Sequence, residues 1–319
     1  MFDQALPSAA GSPPNVTLNV TQMRLIHHYT TVTAKTLAHN PDSERVFATN
    51  VIPISFSYPS LLHAVLALAA LHISRIEGPS SPTYAAYRLL ADKHHDAALG
   101  DFPASVRDID STNWKAVLMF AGALYPLSCT IAIRASENSE LAFANFLSNF
   151  ALTRRVRPMM KQSELGLLMP DDIKGVNWAT MEAPADTELV QSRKFSEVVH
   201  HLYPPDIVDA YGHAINILEL TFAVAAASPN PPSDALLKIW IHFVSDRYVE
   251  RLSEGQPGSL VILAHYAVLL RRSEQYWYLE GVTEQIMNIA NALVPLEWGS
   301  WLQWPRTQIL GGSVGPVLG

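Results

Sequence analysis

This sequence predicts an all-α fold: a single multi-helix domain closed around an apolar cavity. Three observations predict it. From Thr21 onward, apolar residues recur at the three- and four-residue spacings that put them on one face of a helix. No segment alternates in the two-residue period of a strand between hairpin turn signals. The 319 residues are 49% hydrophobic and only 16% charged, where roughly a quarter is ordinary, so a large share of the helical surface must be buried.

The elements follow in order. Residues 1–20 are rich in Pro, Ser, Gly and Asn and read as a disordered lead. Met23, Ile26, Thr30, Thr33 and Leu37 share a face of a first helix ending near His39. Tyr58-Pro59 opens a second helix to Ile76, stopped by Gly78-Pro79. A third runs from Pro82 to Leu99 and is broken at Gly100-Asp101-Phe102-Pro103. Two long apolar helices span Thr112–Arg134 and Ser136–Arg157, the second halted before Pro158. Met169–Thr187 is polar, carries Pro170, Gly175 and Pro184, and reads as a long loop of the kind that often carries function. Helices resume at Thr187–Leu202, Asp206–Ala227, Asp234–Leu252, Ser259–Arg272 and Trp277–Val294. With apolar helices on both sides of that loop, residues 21–306 form one domain and 307–319 a flexible tail.

Composition narrows the function. The net charge is −7 and no basic stripe stands out, which argues against direct nucleic-acid contact. Cys129 is the sole cysteine, so neither an internal disulfide nor a cysteine-based zinc site can form within this sequence. Residues 1–14 have no basic start followed by an apolar stretch, so no signal peptide is read and the sequons at Asn15 and Asn19 are coincidental. The apolar run Leu61–Ile73 is too short to span a bilayer, and Ala116–Ile133 is interrupted by Pro126 and Ser128. A cytoplasmic or nuclear protein without a membrane span is expected.

Motifs that carry chemistry are scarce. Twelve histidines include the neighbours His27-His28, His94-His95 and His200-His201, but adjacent side chains on a helix point about 100° apart and cannot chelate one ion from one face. No metal is expected. Asp171-Asp172 lacks the later acid of the ionising terpene-cyclase magnesium motif, Asp108-Ile-Asp110 lacks the doublet of the protonating type, and both read as loop acids or helix caps. There is no G-x-S-x-G, G-x-G-x-x-G or P-loop, so no cofactor is expected. Cys129 lies mid-helix among apolar residues as a packing thiol. What remains is aromatic and apolar surface. Met119, Phe120, Tyr125, Phe143, Phe146, Phe150, Trp178 and Phe222 each read as core when taken singly. As a set they supply the apolar walls of a pocket, with Tyr125, Arg134, Asn145, Asn149 and His213 as polar handles.

A resemblance sharpens this. Met23-Arg-Leu-Ile-His-His-Tyr-Thr-Thr-Val-Thr-Ala-Lys-Thr-Leu37 resembles the opening of the regulatory domain in fungal sterol-uptake-control factors of the binuclear zinc-cluster class. Leu61-Leu-His-Ala-Val-Leu-Ala-Leu-Ala-Ala-Leu-His72, then Tyr87–Leu99, are similar to the next two blocks. Leu263–Leu270, Trp277–Gly281 and Trp298–Pro305 match the end. The resemblance implies an all-helical domain with a deep apolar cavity for a sterol, and makes His27, His28, His63, His72, His94 and His265 family positions that bond between helices. It also implies a six-cysteine zinc cluster upstream, which this sequence does not contain. The chain reads as a stand-alone protein that binds an apolar small molecule of terpenoid, polyene or sterol type. It would be either a cofactor-free cyclase of the intramolecular Diels–Alder kind in fungal natural-product biosynthesis, or a sterol- or terpenoid-sensing regulatory domain without catalysis. Oligomeric state is not readable.

Overall fold

The computed structural model describes residues 19–38, 44–100, 112–131, 139–154, 178, 184, 188–273 and 275–311, apart from the side chains of 131, 139, 149 and 152. Among them there are helices and no strand, which is the all-α class the periodicity indicates.

Helix α1 (Val20–His28) is capped by Asn19, whose side chain accepts from the Gln22 amide at 3.1 Å. It then loosens into a π-turn, Tyr29–Thr33, before α2 (Ala34–Leu37). The hydroxyls of Thr30 and Thr31 donate back to the Ile26 and His27 carbonyls there, competing with the regular ladder. A second π-turn, Val46–Asn50, leads into the short α3 (Val51–Ser55).

Two helices form the posts of the molecule. In α4 (Pro59–Glu77) every residue from Ala64 to Ser74 is buried. In α12 (Pro257–Arg271) every residue from Gly258 to Leu270 is buried. A helix apolar on all sides must be surrounded. Around α4 stand α1, α5 (Tyr84–Gly100) and α6 (Trp114–Ile131). Around α12 stand α8 (Val190–Leu202), α9 (Pro205–Ala227), α11 (Asp246–Ser253), α13 (Val282–Leu293) and α14 (Gln303–Leu310). Between these groups, α7 (Ser139–Arg154) packs on α6, α13 and α10 (Asp234–Phe243). One apolar core runs through the whole, from Leu25 to Ile309.

Three expectations are corrected. The helix read over Asp234–Leu252 is two, because Val244 is extended and the Ser245 hydroxyl caps α11 by accepting from the Tyr248 amide. The helix read from Trp277 begins as a 3₁₀ turn, Trp277–Leu279, and α13 starts only after Gly281, whose φ of 79° is left-handed. The expected tail is helical in its first part: a 3₁₀ segment, Leu296–Leu302, passes into α14, which crosses residue 307 and ends at Leu310. Residues 1–18 and 312–319 lie outside the described residues, as do most of 155–187.

By length and composition, Pro59–Glu77 and Pro205–Ala227 could cross a membrane, but 72% and 56% of their apolar windows are buried inside the fold. That is how core helices behave.

Candidate functional site

The central feature is a small hollow where α6, α7, α10, α12 and α13 converge. Its apolar walls are Phe146 and Phe150 from α7, Ile241 from α10, Leu270 from α12 and Val282 from α13. Phe150 meets Trp240 edge-on at 5.9 Å, and Trp240 stacks on Tyr266 at 4.3 Å, so the wall is backed by packed rings. The hollow measures about 20 Å³. That is room for one water, whereas a drug-sized guest needs several hundred Å³. This hollow is therefore far smaller than the deep cavity the resemblance implies, and a polycyclic guest would enter it only if its walls part.

The rest of the lining is polar but uncharged: Tyr125, Ser128 and Cys129 on α6, Thr153 on α7 and Tyr266 on α12. Their spacing in the sequence explains their arrangement. Tyr125, Ser128 and Cys129 are three and four apart on α6, one turn of one face. Pro126 sits inside the same turn, removing an amide from the helix ladder, and the Thr130 hydroxyl ties the next turn back to the Pro126 carbonyl at 2.8 Å.

Tyr125 and Tyr266 both line the hollow and lie close enough to influence each other's phenols. Tyr266 in turn donates to the Leu237 carbonyl at 2.9 Å. Behind Tyr125, Tyr278 stands edge-on at 6.1 Å and donates to the Asp234 carboxylate at 2.6 Å. Asp234 is paired with Lys238, whose ammonium lies 5.6 Å from the Tyr125 ring centre. Burial first, then the neighbouring Tyr266, Cys129 and Tyr278, keeps the Tyr125 phenol well above its ordinary range. Burial raises Tyr266 and Cys129 too. These groups are neutral at neutral pH: the phenols are hydrogen-bond donors and the thiol is no nucleophile.

Of the residues singled out in the sequence, Tyr125 and Phe146 line the hollow, as does Phe150. Phe120 and Phe143 are buried in the surrounding core, Met119 is half-buried and Asn145 partly exposed, and none of these lines it. Trp178 is buried but likewise absent from the lining. Phe222 is not in the lining either and packs between the Arg272 guanidinium and Trp304. His213 is exposed and bonds to the Phe243 carbonyl. The Asn149 side chain, Arg134, Asp108, Asp110, Asp171 and Asp172 lie outside the described residues. Sequence reasoning missed Tyr266, Ser128, Thr153, Ile241, Leu270 and Val282. Tyr266 had one available signal: with Ser259 and His265 it is one of the few polar side chains in a buried, mostly apolar helix, where each polar group needs a partner.

The histidines pair across helices rather than with their chain neighbours. His63 of α4 and His94 of α5 bring their Nδ1 atoms to 2.8 Å. His72 bonds Thr33 at 3.1 Å, stacks on Trp277 and faces His28. His265 differs from the expectation: its Nδ1 bonds the Val261 carbonyl of its own helix, and the ring stacks on Trp304. Among the described residues no three metal-ligating groups converge.

Comparison with known proteins finds similarity to fungal transcription factors. Residues 24–142 match the fungal specific transcription factor domain. A Zn(2)-C6 fungal-type transcription factor of Gibberella zeae is 26% identical over 92% of this chain and 62% of its own length. Sterol uptake control protein 2 of Saccharomyces cerevisiae is 25% identical over 84% of this chain and 30% of its own. The Candida albicans protein of that name is 22% identical over 84% and 39%. The chain thus spans less than two thirds of each of these relatives. Residues 24–142 are thus similar to a fungal transcription-factor domain, while the single cysteine of this sequence cannot supply the six that a zinc cluster needs.

Proposed function

We propose that this chain is a pocket protein for a neutral, largely apolar guest of terpenoid, polyene or sterol type, and that it acts as a cofactor-free cyclase of the intramolecular Diels–Alder kind. The observation that carries the reading is the meeting of two protonated phenols, Tyr125 and Tyr266, with aromatic and aliphatic walls at the junction of five helices. A pericyclic closure transfers no proton and needs no metal. It asks for a folded reactant and, at most, a hydrogen bond that strengthens as the dienophile carbonyl gains negative charge. Holding diene and dienophile in contact lowers the barrier by several kcal/mol. A donor that gains about 1.4 kcal/mol in the transition state adds about tenfold. A neutral phenol in a dry site supplies that bond without becoming ionised itself.

The water-sized hollow is the seed of such a site, and guest binding must widen it. Pro126 in the α6 turn that bears Tyr125, Ser128 and Cys129 is a natural place for the wall to give, because the helix ladder is already interrupted there.

The relatives' names favour a second reading, in which the same pocket senses a sterol-like molecule and regulates through a partner, with no reaction. A cytoplasmic or nuclear site of action suits both. Incubating the purified protein with linear polyene aldehydes bearing a diene and an activated alkene, and measuring cyclised product against the uncatalysed background, separates them. Faster closure with altered product stereochemistry is the expected result. Tight binding with an unchanged rate returns the protein to the regulatory reading.

A further inference from the structure

Resting on the pocket reading above, we propose that the Tyr125 hydroxyl is the specificity-determining group of this site, selecting guests whose one polar end is an uncharged acceptor, an aldehyde or ketone oxygen, over the matching hydrocarbon and the matching carboxylate.

The geometry leads there in three steps. First, the lining contains hydroxyls and a thiol but no lysine, arginine or histidine among the described residues. Of the cations close by, Lys238 is paired with Asp234 across the Tyr125 ring, and Arg154 is spent on the Ile241 and Val244 carbonyls and Asp246. A carboxylate guest would therefore lose its hydration without meeting a free positive charge, which is costly. Second, the phenol can turn to a guest at little expense. It lines the hollow, and the neighbouring Tyr266 hydroxyl spends its own proton on the Leu237 carbonyl whatever Tyr125 does. The Tyr266 donor is not orphaned when Tyr125 turns. Third, the ring that carries the hydroxyl is fixed. Tyr278 stands edge-on against it and is itself anchored on Asp234, which also accepts from Lys238. The donor is aimed before any guest arrives, so little ordering is left for binding to offset. Burial keeps the phenol protonated, and hence a donor, throughout the neutral range.

The test uses the intact chain and three probes with the same polyene chain: farnesal, farnesene and farnesoic acid, the last at pH 8. Binding is followed by tryptophan fluorescence and calorimetry. Wild type is expected to bind farnesal about tenfold more tightly than farnesene, the worth of one good neutral hydrogen bond, and farnesoic acid weakest of all. In Tyr125→Phe the farnesal preference should disappear while farnesene affinity is unchanged, a split that a merely loosened wall would not produce. Tyr266→Phe removes the neighbouring hydroxyl as a competing acceptor and should tighten farnesal several-fold, the opposite direction from a destabilised fold. If all three probes bind but Tyr125→Phe keeps the aldehyde preference, or if farnesoic acid binds best, this inference fails and the pocket reading survives. If none of the probes binds wild type, both fall together.

Discussion

A buried imidazole shows how strongly one residue ties this fold to pH. His265 is enclosed on α12, donates from Nδ1 to the Val261 carbonyl and lies flat on Trp304, with Nε2 buried and unprotonated. Burial lowers its pKa to about 4, and the same cause, aided by His28 and Arg75 for His72 and by His63 for His94, lowers those two to about 4. In the unfolded chain each would take up a proton near pH 6.5. Native stability is therefore complete above about 6.5 and is lost as pH falls from there towards 4, because protons then bind the unfolded chain and not the native one. For His265 the loss reaches about 2 kcal/mol by pH 5, before most carboxylates titrate. Urea midpoints measured from pH 7 to pH 5 should fall steadily, and His265→Phe should remove about that much of the slope. An unchanged slope in the variant would mean that the ring is protonated in the native state. The sequence shows this residue as one polar position in an apolar helix. Its partner, a carbonyl one turn earlier rather than another helix, is a consequence of close packing against Trp304 that no spacing announces.

At the scale of elements, breaks are harder to read than helices. Gly255-Gln-Pro-Gly258 looks like a separator, yet Pro257 opens α12 and Gly258 is already inside it. Gly258 is there because the Tyr211 ring of α9 occupies the space where a Cβ would stand. Tyr211 is itself wedged edge-on between Tyr203 and Tyr248 and cannot slide away freely. Gly258→Ala should thus cost on the order of 1–3 kcal/mol through overpacking, although alanine is the better helix former. The break at Ser245 has the opposite origin, a local cap hidden inside a continuous apolar pattern. Ser245→Ala should cost about 1 kcal/mol, and Ser245→Asp, which can still cap, should recover most of it. Thermal or urea denaturation of the three variants reads both effects. A neutral Gly258→Ala would show that α9 and α12 can separate without loss.

For the whole molecule, the class and most helices are legible because period, proline and glycine are local signals, whereas the hollow is made by chain segments far apart. Tyr125 and Tyr266 line one hollow from 141 positions apart, a relation that periodicity cannot express. Tyr125, Phe146 and Phe150 could be picked out as aromatics in apolar helices, but so could Phe222, which packs under Arg272 outside the lining. What closes the hollow is equally non-local. Arg154, at the end of α7, reaches α10 and α11, donating to the Ile241 and Val244 carbonyls at 2.8 and 2.7 Å and pairing with Asp246. Those carbonyls belong to the end of α10, where no amide of the same helix follows to satisfy them all. Arg154 therefore bolts to α10 the helix that carries Phe146, Phe150 and Thr153. Arg154→Met, which keeps the length of the side chain but donates nothing, should destabilise the protein by roughly 2–4 kcal/mol. Arg154→Lys should fall between, since an ammonium cannot copy the fork that spans both carbonyls and the carboxylate. If α7 is the wall that must swing for a guest to enter, amide exchange along α7 should quicken in Arg154→Met more than in α4, and farnesal should associate faster than with wild type. Faster unfolding of every helix alike, with no change in association rate, would place the entry elsewhere and leave Arg154 as a fastening of the fold alone.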